Sequence, residues 1–354
     1  MSLRLPARKL CLPPSRPLLT LPSTRLAPFS HGTVKREEKA EDPRLKDEVG
    51  DLVIEDQYAI LREKYDTPKN PIILAHGLMG FEELNIIPKA VLPGIQYWRG
   101  IREALAAKGI EVITATVPAS GSIEARAQKL SEDIHKKAKG KSVNIIAGLD
   151  SRYMISQLKP ANVKVLSLTT IATPHRGSSF ADVMFSWIGP TNIPKLYTML
   201  EFFGFETGAF SQLTQSYMSQ TFNPKTPDRE GISYYSYGAT VNPRFWSMFR
   251  QSHRIIQKLE GENDGLVSVE SAKWGTYKGT LKDVSHLDMI NWTNRLRWFL
   301  WELTGNKRNF NAIAFYLDIA GKFSNDEARS LAQESHADVC CRYVGEGRSL
   351  NIFP

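Results

Sequence analysis

The feature that most constrains this chain is a regular alternation of short apolar runs with longer helical ones. Pro71-Ile72-Ile73-Leu74-Ala75 reads as a buried strand, and Ile110–Thr116, Ser142–Ala147 and Val163–Ile171 read as three more. Between them, Tyr97–Lys108 and Ile123–Lys139 have helical periodicity and end at Gly109 and Gly140, and Leu149–Leu158 reads as a third helix. Strands separated by helices imply βαβ units, because parallel neighbours need a long crossover rather than a tight turn. The expected fold is therefore α/β, a mostly parallel central sheet flanked by helices. Later in the chain, Ile232–Tyr237 reads as a strand, and Met289–Leu303 and Asn311–Phe323 as helices. Val53–Tyr65 also reads as a helix, on the spacing of Val53, Tyr58, Ile60 and Leu61, and the polar residues 324–354 read as a loose tail.

The rhythm breaks after Pro174. Residues 184–222 hold Met184, Phe185, Trp187, Ile188, Phe202, Phe203 and Phe205 among other apolar side chains. Such an insertion between sheet elements fits a cap or lid over a cleft. It equally fits a plain core subdomain, and periodicity does not choose between them.

Charge placement excludes some functions. The chain has 354 residues and a net charge of +8. Residues 1–36 carry seven basic groups (Arg4, Arg8, Lys9, Arg16, Arg25, Lys35, Arg36) and no acidic one, so the rest is nearly neutral. A neutral body argues against nucleic-acid binding, which needs a sustained basic surface. The basic, Ser- and Leu-containing leader reads as a mitochondrial transit peptide, or else as a disordered basic tail, since its prolines interrupt any long helix. Residues 37–50 read as a charged linker and 51–323 as the folded domain. No run of 18 apolar residues occurs, so no transmembrane segment is expected. Cys11, Cys340 and Cys341 are too few for a disulfide framework or a four-ligand zinc site. No cofactor is expected.

Three short motifs carry chemistry. His76-Gly77-Leu78-Met79-Gly80 directly follows a strand, where an α/β-hydrolase draws one oxyanion-hole N–H. Leu78 would supply that N–H, with His76 and Gly77 shaping the turn. Asn263-Asp264-Gly265-Leu266-Val267 presents a carboxylate in a turn, and Ser285-His286-Leu287-Asp288 presents an imidazole. Acid before base is the chain order of this class, in which the base removes the nucleophile's proton and the acid fixes the base's tautomer. The other histidines (His31, His135, His175, His253 and His336) fit the base position less well.

Together with Ala172-Thr173-Pro174-His175-Arg176-Gly177-Ser178, these motifs resemble the bacterial true-lipase family, and in particular the fungal mitochondrial triacylglycerol lipases. The resemblance spans about residues 70–305, in the family's order. It implies an α/β-hydrolase fold, carboxylic-ester hydrolysis, an acylglycerol or other lipid-ester substrate and a peripheral lipid surface. It also implies Asp264 as acid, His286 as base and Leu78 as oxyanion donor. Bacterial members hold calcium near the base, and Asp288 matches one ligand. Trp292 replaces an oxygen-bearing Gln, so no metal is expected. His175 and Arg176 read as loop braces.

One departure is decisive. The family sets its serine in a run like A-H-S-M-G-G-L-D-x-R, whereas here Ala147 is followed at once by Gly148-Leu149-Asp150-Ser151-Arg152. H-S-M-G is missing, and no G-x-S-x-G occurs anywhere. Ser151 is the nearest substitute, but it falls where a helix side chain is expected. Three readings follow. One is a lipase whose intact-elbow form differs by an alternative splice junction. The second is a catalytically silent scaffold that binds lipid or protein, and the third is a transacylase on the same frame.

Overall fold

The computed structural model describes residues 53–77, 83–84, 95–98, 100–119, 121–160, 162–186, 208–245, 247, 249–291 and 310–345. The leader and linker, Leu78, residues 187–207 of the apolar insertion, Trp292 and most of the helix expected over Met289–Leu303 lie outside these residues.

Seven parallel strands form the sheet: β1 (Val53–Ile54), β2 (Ile72–Ala75), β3 (Val112–Ala115), β4 (Val143–Ile146), β5 (Val165–Ile171), β6 (Ser233–Ala239) and β7 (Thr276–Leu281). Their order is β1-β7-β6-β5-β4-β2-β3. Strand β2 lies between β3 and β4, so the sheet reverses its winding direction there. Such a switch point opens a crevice at the carboxyl ends of the strands.

Both faces of the sheet are covered, as a parallel sheet requires. Alternate residues of β2 serve opposite sides. Ile72 and Leu74 pack with Ile101 and Leu105 of α1 (Ile101–Ala107), while Ile73 and Ala75 pack with Ala127, Leu130 and Ile134 of α2 (Ile123–Ala138). Ser122 caps α2 by accepting from the Ala125 N–H at 3.2 Å. Helix α3 (Leu149–Tyr153) follows β4 and widens into a π-helical turn over Met154–Leu158. Two later helices matter below, α4 (Arg250–Leu259) and α5 (Ala312–Gly345).

Two expectations are corrected. Val53–Tyr65 is not a helix. Its first residues pair with β7, Val53 opposite Thr280 and Ile54 opposite Leu281, and Ile60 is 80% exposed. The helical spacing was coincidental, and an open sheet edge took the segment instead. The residues after Ser324 are also not a loose tail as far as Gly345, because α5 runs through them. Its polar residues are anchored to the sheet, Asp326 accepting from the Tyr235 hydroxyl at 2.7 Å and Glu327 from the Asn144 amide at 2.9 Å. In the apolar insertion, Met218 and Phe222 are buried with Ile123 and Leu149, so its described end belongs to the core.

Candidate active site

Two loops at the carboxyl edge bring Asp264 and His286 together. The acid turn is built by local side-chain bonds. Asn263 Oδ1 accepts from the Gly265 N–H at 2.9 Å, and Asp264 Oδ1 accepts from the Leu266 and Val267 N–H groups at 2.9 and 2.8 Å. Gly265 sits at φ 105°, a left-handed conformation that glycine adopts without a Cβ penalty. The same residue lies against Phe249, where a Cβ would clash. Asp264 is fully buried, with its other oxygen, Oδ2, 2.7 Å from His286 Nδ1. The backbone adds a bond from the His286 N–H to the Asp264 carbonyl at 3.1 Å.

This geometry fixes the tautomer. With Nδ1–H directed at the carboxylate, the proton-accepting atom of neutral His286 is Nε2. Burial of the ring opposes its charging, but the Asp264 charge and hydrogen bond outweigh that effect and hold the His286 pKa above the ordinary imidazole value. The side chain is 32% exposed, so a reactant can reach it.

Asp288 is absorbed by its own turn, where Oδ2 accepts from the Ser285 N–H at 3.0 Å and the Ser285 hydroxyl at 2.6 Å. Among the described residues no group of three or more His, Cys, Asp and Glu is placed to hold a metal ion.

The switch-point side is built differently. His76 is buried, its Nδ1 lying 3.1 Å from the Gly77 carbonyl. Among the described residues nothing lies within 4 Å of where a Gly77 side chain would project. At the end of β4 the Ala147 N–H is used by the Thr169 carbonyl at 3.1 Å, and Gly148 caps α3 at φ −125°. The sharp turn that would expose a nucleophile is absent, and no serine stands in it. Ser151 lies inside α3, fully buried, and its Oγ has no hydrogen-bond partner among the described residues. It is therefore not bonded to His286.

Two buried arginines brace this side. Arg126 donates to Asp150 Oδ2 through Nε and Nη2 (3.0 and 2.7 Å), to the His76 carbonyl at 3.1 Å and to the Pro118 carbonyl. One guanidinium thus ties the loops after β2 and β3 to the first turn of α3. Burial pushes the Asp150 pKa up, against the pull of the Arg126 charge. Arg152 donates to His175 Nδ1 at 3.1 Å and to Asn223 Oδ1 at 3.0 Å, and lies over the Trp274 ring at 3.4 Å. Arg176 binds the Glu270 and Lys273 carbonyls at 2.7 and 2.6 Å. His175 and Arg176 thus brace loops.

Sequence reasoning gave Arg126 no role. The signal was present, because Arg126 falls on the stripe of α2 shared by Ile123, Ala127, Leu130 and Ile134. A charge on an apolar stripe needs a buried partner. A cavity of about 410 Å³ between Thr116–Pro118 and the Lys129–Lys136 face of α2 touches neither Asp264 nor His286, so it is not the reaction cleft.

A seven-stranded parallel sheet of this order, with an Asp–His pair on loops at its carboxyl edge, defines an α/β-hydrolase. No protein-family model matches the chain. It is 37% identical to "Triacylglycerol lipase 2" of Saccharomyces cerevisiae over 317 residues, covering 75% of this chain and 94% of the relative. It is 24% identical to a triacylglycerol lipase of Pseudomonas fragi, covering 71% and 94%. Among solved structures it is similar to the Staphylococcus hyicus lipase (TM-score 0.54, 19% identity, 75% of this chain and 99% of that one). It also resembles a metagenomic carboxyl esterase (TM-score 0.57, 17% identity, 74% and 77%). The chain belongs to the triacylglycerol lipase family.

Proposed function

We propose that this scaffold serves hydrolysis of acylglycerol esters in lipid catabolism, with His286 as general base and Asp264 as its orienting acid. We further propose that the 354-residue form holds only this acid–base half. The observation that carries the reading is the 2.7 Å bond from His286 Nδ1 to a carboxylate that is fully buried and already fixed by two backbone N–H groups. An acid so fixed can keep Nε2 aimed at a nucleophile and stabilise the imidazolium that forms. In a form carrying H-S-M-G between Ala147 and Gly148, the serine would stand at the carboxyl end of β4. Its Oγ would lose a proton to His286 Nε2 and attack the ester carbonyl. The alkoxide leaving group would take that proton, and water would then release the acid from the acyl-enzyme. Leu78, with His76 and Gly77, would supply one oxyanion N–H. The basic leader supports import into mitochondria, and the substrate class supports work at a lipid surface.

The test is turnover of p-nitrophenyl esters by the chain as it stands and by the chain with H-S-M-G inserted after Ala147, both checked for folding by circular dichroism. The present form should be near background and the inserted form active. Turnover by the present form that vanishes on Ser151→Ala would overturn the assignment of the missing nucleophile. Two folded, inactive proteins would favour a silent scaffold.

A further inference from the structure

The sequence from Gly231 to Leu259 contains no acidic residue, although the body of the chain is nearly neutral. The stretch ends in α4, where Arg250, Arg254 and Lys258 stand at successive i, i+4 positions. Ser252 and Ile256 face the core, which turns this basic ridge outward together with the exposed Gln251 and Gln257. Among the described residues no carboxylate lies within ion-pair distance of Arg254 or Lys258. At the head of the ridge Phe245 is 78% exposed, with the Arg250 guanidinium 4.4 Å from its ring centre.

This surface is tied to the acid turn. The Val241 N–H donates to the Asn263 carbonyl at 3.0 Å, Asn263 Nδ2 donates to the His253 carbonyl at 3.3 Å, and Phe249 packs on Gly265. All three contacts flank Asp264. We propose that the outer face of α4, with Phe245 at its head, docks this protein onto an anionic phospholipid surface and so places the Asp264–His286 edge beside the membrane. Charge complementarity selects the occupant, because a ridge of cations without an intervening anion is attracted to a negatively charged leaflet. An exposed aromatic ring beside it can sink to headgroup depth. The inference rests on the lipid-ester reading above, but it is tested by binding alone, so its failure leaves the ester chemistry untouched.

The experiment is co-sedimentation of the full chain with phosphatidylcholine vesicles, pure or containing about one-third phosphatidylserine. The chain should prefer the anionic vesicles and be released by salt. Arg254→Gln with Lys258→Gln should weaken anionic binding about five-fold per charge, about 25-fold for both. The basic leader is present in every variant, so it cannot produce that difference. Lys136→Gln with Lys139→Gln removes the same charge at the far end of α2, next to the amino end of β4, and should change binding less than about two-fold. Phe245→Ser should weaken binding to anionic vesicles without abolishing the salt dependence. Equal losses for the two lysine and arginine pairs, or unchanged binding by the α4 pair, would overturn the proposal and leave the face to an acidic protein.

Discussion

At the carboxyl edge of the sheet, the β6–β7 side brings Asp264 and His286 into a hydrogen-bonded pair, whereas the β4 side passes from strand to helix at Gly148 with the nearest serine, Ser151, buried inside α3. The first is built on a locally bonded turn, with Asn263 and Asp264 side chains holding N–H groups two or three residues on, and the imidazole of His286, 22 positions later, closes onto Asp264 Oδ2. The second depends on a single side chain, the Arg126 guanidinium, joining three separate segments. A turn stabilised from within survives the loss of residues elsewhere. A nucleophile elbow does not, because its function lies in the strained turn itself. The β4 side thus keeps its bracing guanidinium although the H-S-M-G run is absent from the sequence.

The largest effects should come from the finished side, read in the chain with H-S-M-G inserted. His286→Ala should lower kcat by about 10⁶ and Asp264→Asn by about 10⁴, the order seen when base and acid are removed singly from such triads. In the present form neither substitution should alter the background rate. Comparable rates for the inserted chain and its His286→Ala variant would show that Asp264 and His286 do not work with that serine.

A smaller effect tests the other side. Arg126→Met should destabilise the fold by about 3–5 kcal/mol, because it leaves Asp150 and two carbonyls buried without their cation. Adding Asp150→Leu should recover part of that loss, since replacing both members of a buried pair is far less costly than breaking it. Urea unfolding of the three proteins measures both steps. If Arg126→Met unfolds at the same urea concentration as the parent, Arg126 is not the brace described.

Much of this comparison could be read in advance, and the exceptions have physical causes. Strands β2 to β6 and helices α1 and α2 were visible because both-face burial produces apolar runs and one-face burial produces a helical stripe. Strand β7 was missed because Thr276-Tyr277-Lys278-Gly279-Thr280-Leu281 alternates with polar residues and a glycine. Helix α4 was missed because few of its residues are apolar, and most of its surface faces outward. The extension of α5 was hidden because Asp326 and Glu327 are held by polar partners on the sheet, and composition alone does not distinguish such residues from solvated ones. Asp264 and His286 were legible by chain order and motif. Their 2.7 Å contact was not, since 22 positions separate them and only the β7 crossover closes that distance.

The finest test uses two histidines whose surroundings act in opposite directions. His286 has its pKa raised, as Asp264 outweighs burial. His175 is held well below the usual range by burial and then by the Arg152 and Arg176 charges, so it stays neutral and accepts from Arg152. By linkage, the stabilisation from the His286–Asp264 pair is fully present below about pH 6.5 and is lost as pH rises through the folded pKa. His175 has the reverse sign, with its contribution intact above about pH 6.5 and falling as pH drops below it. Imidazole NMR titration of the present form should show one ring titrating above the ordinary midpoint and one remaining neutral well below it. Asp264→Asn should move the first midpoint down and leave the second in place. In the H-S-M-G form, the rising limb of kcat/KM against pH should follow the His286 midpoint, because only neutral imidazole accepts the serine proton. A His286 midpoint unmoved by Asp264→Asn would mean that the carboxylate orients the ring without stabilising its charge, and the acid–base side would then be no more finished than the β4 side opposite it.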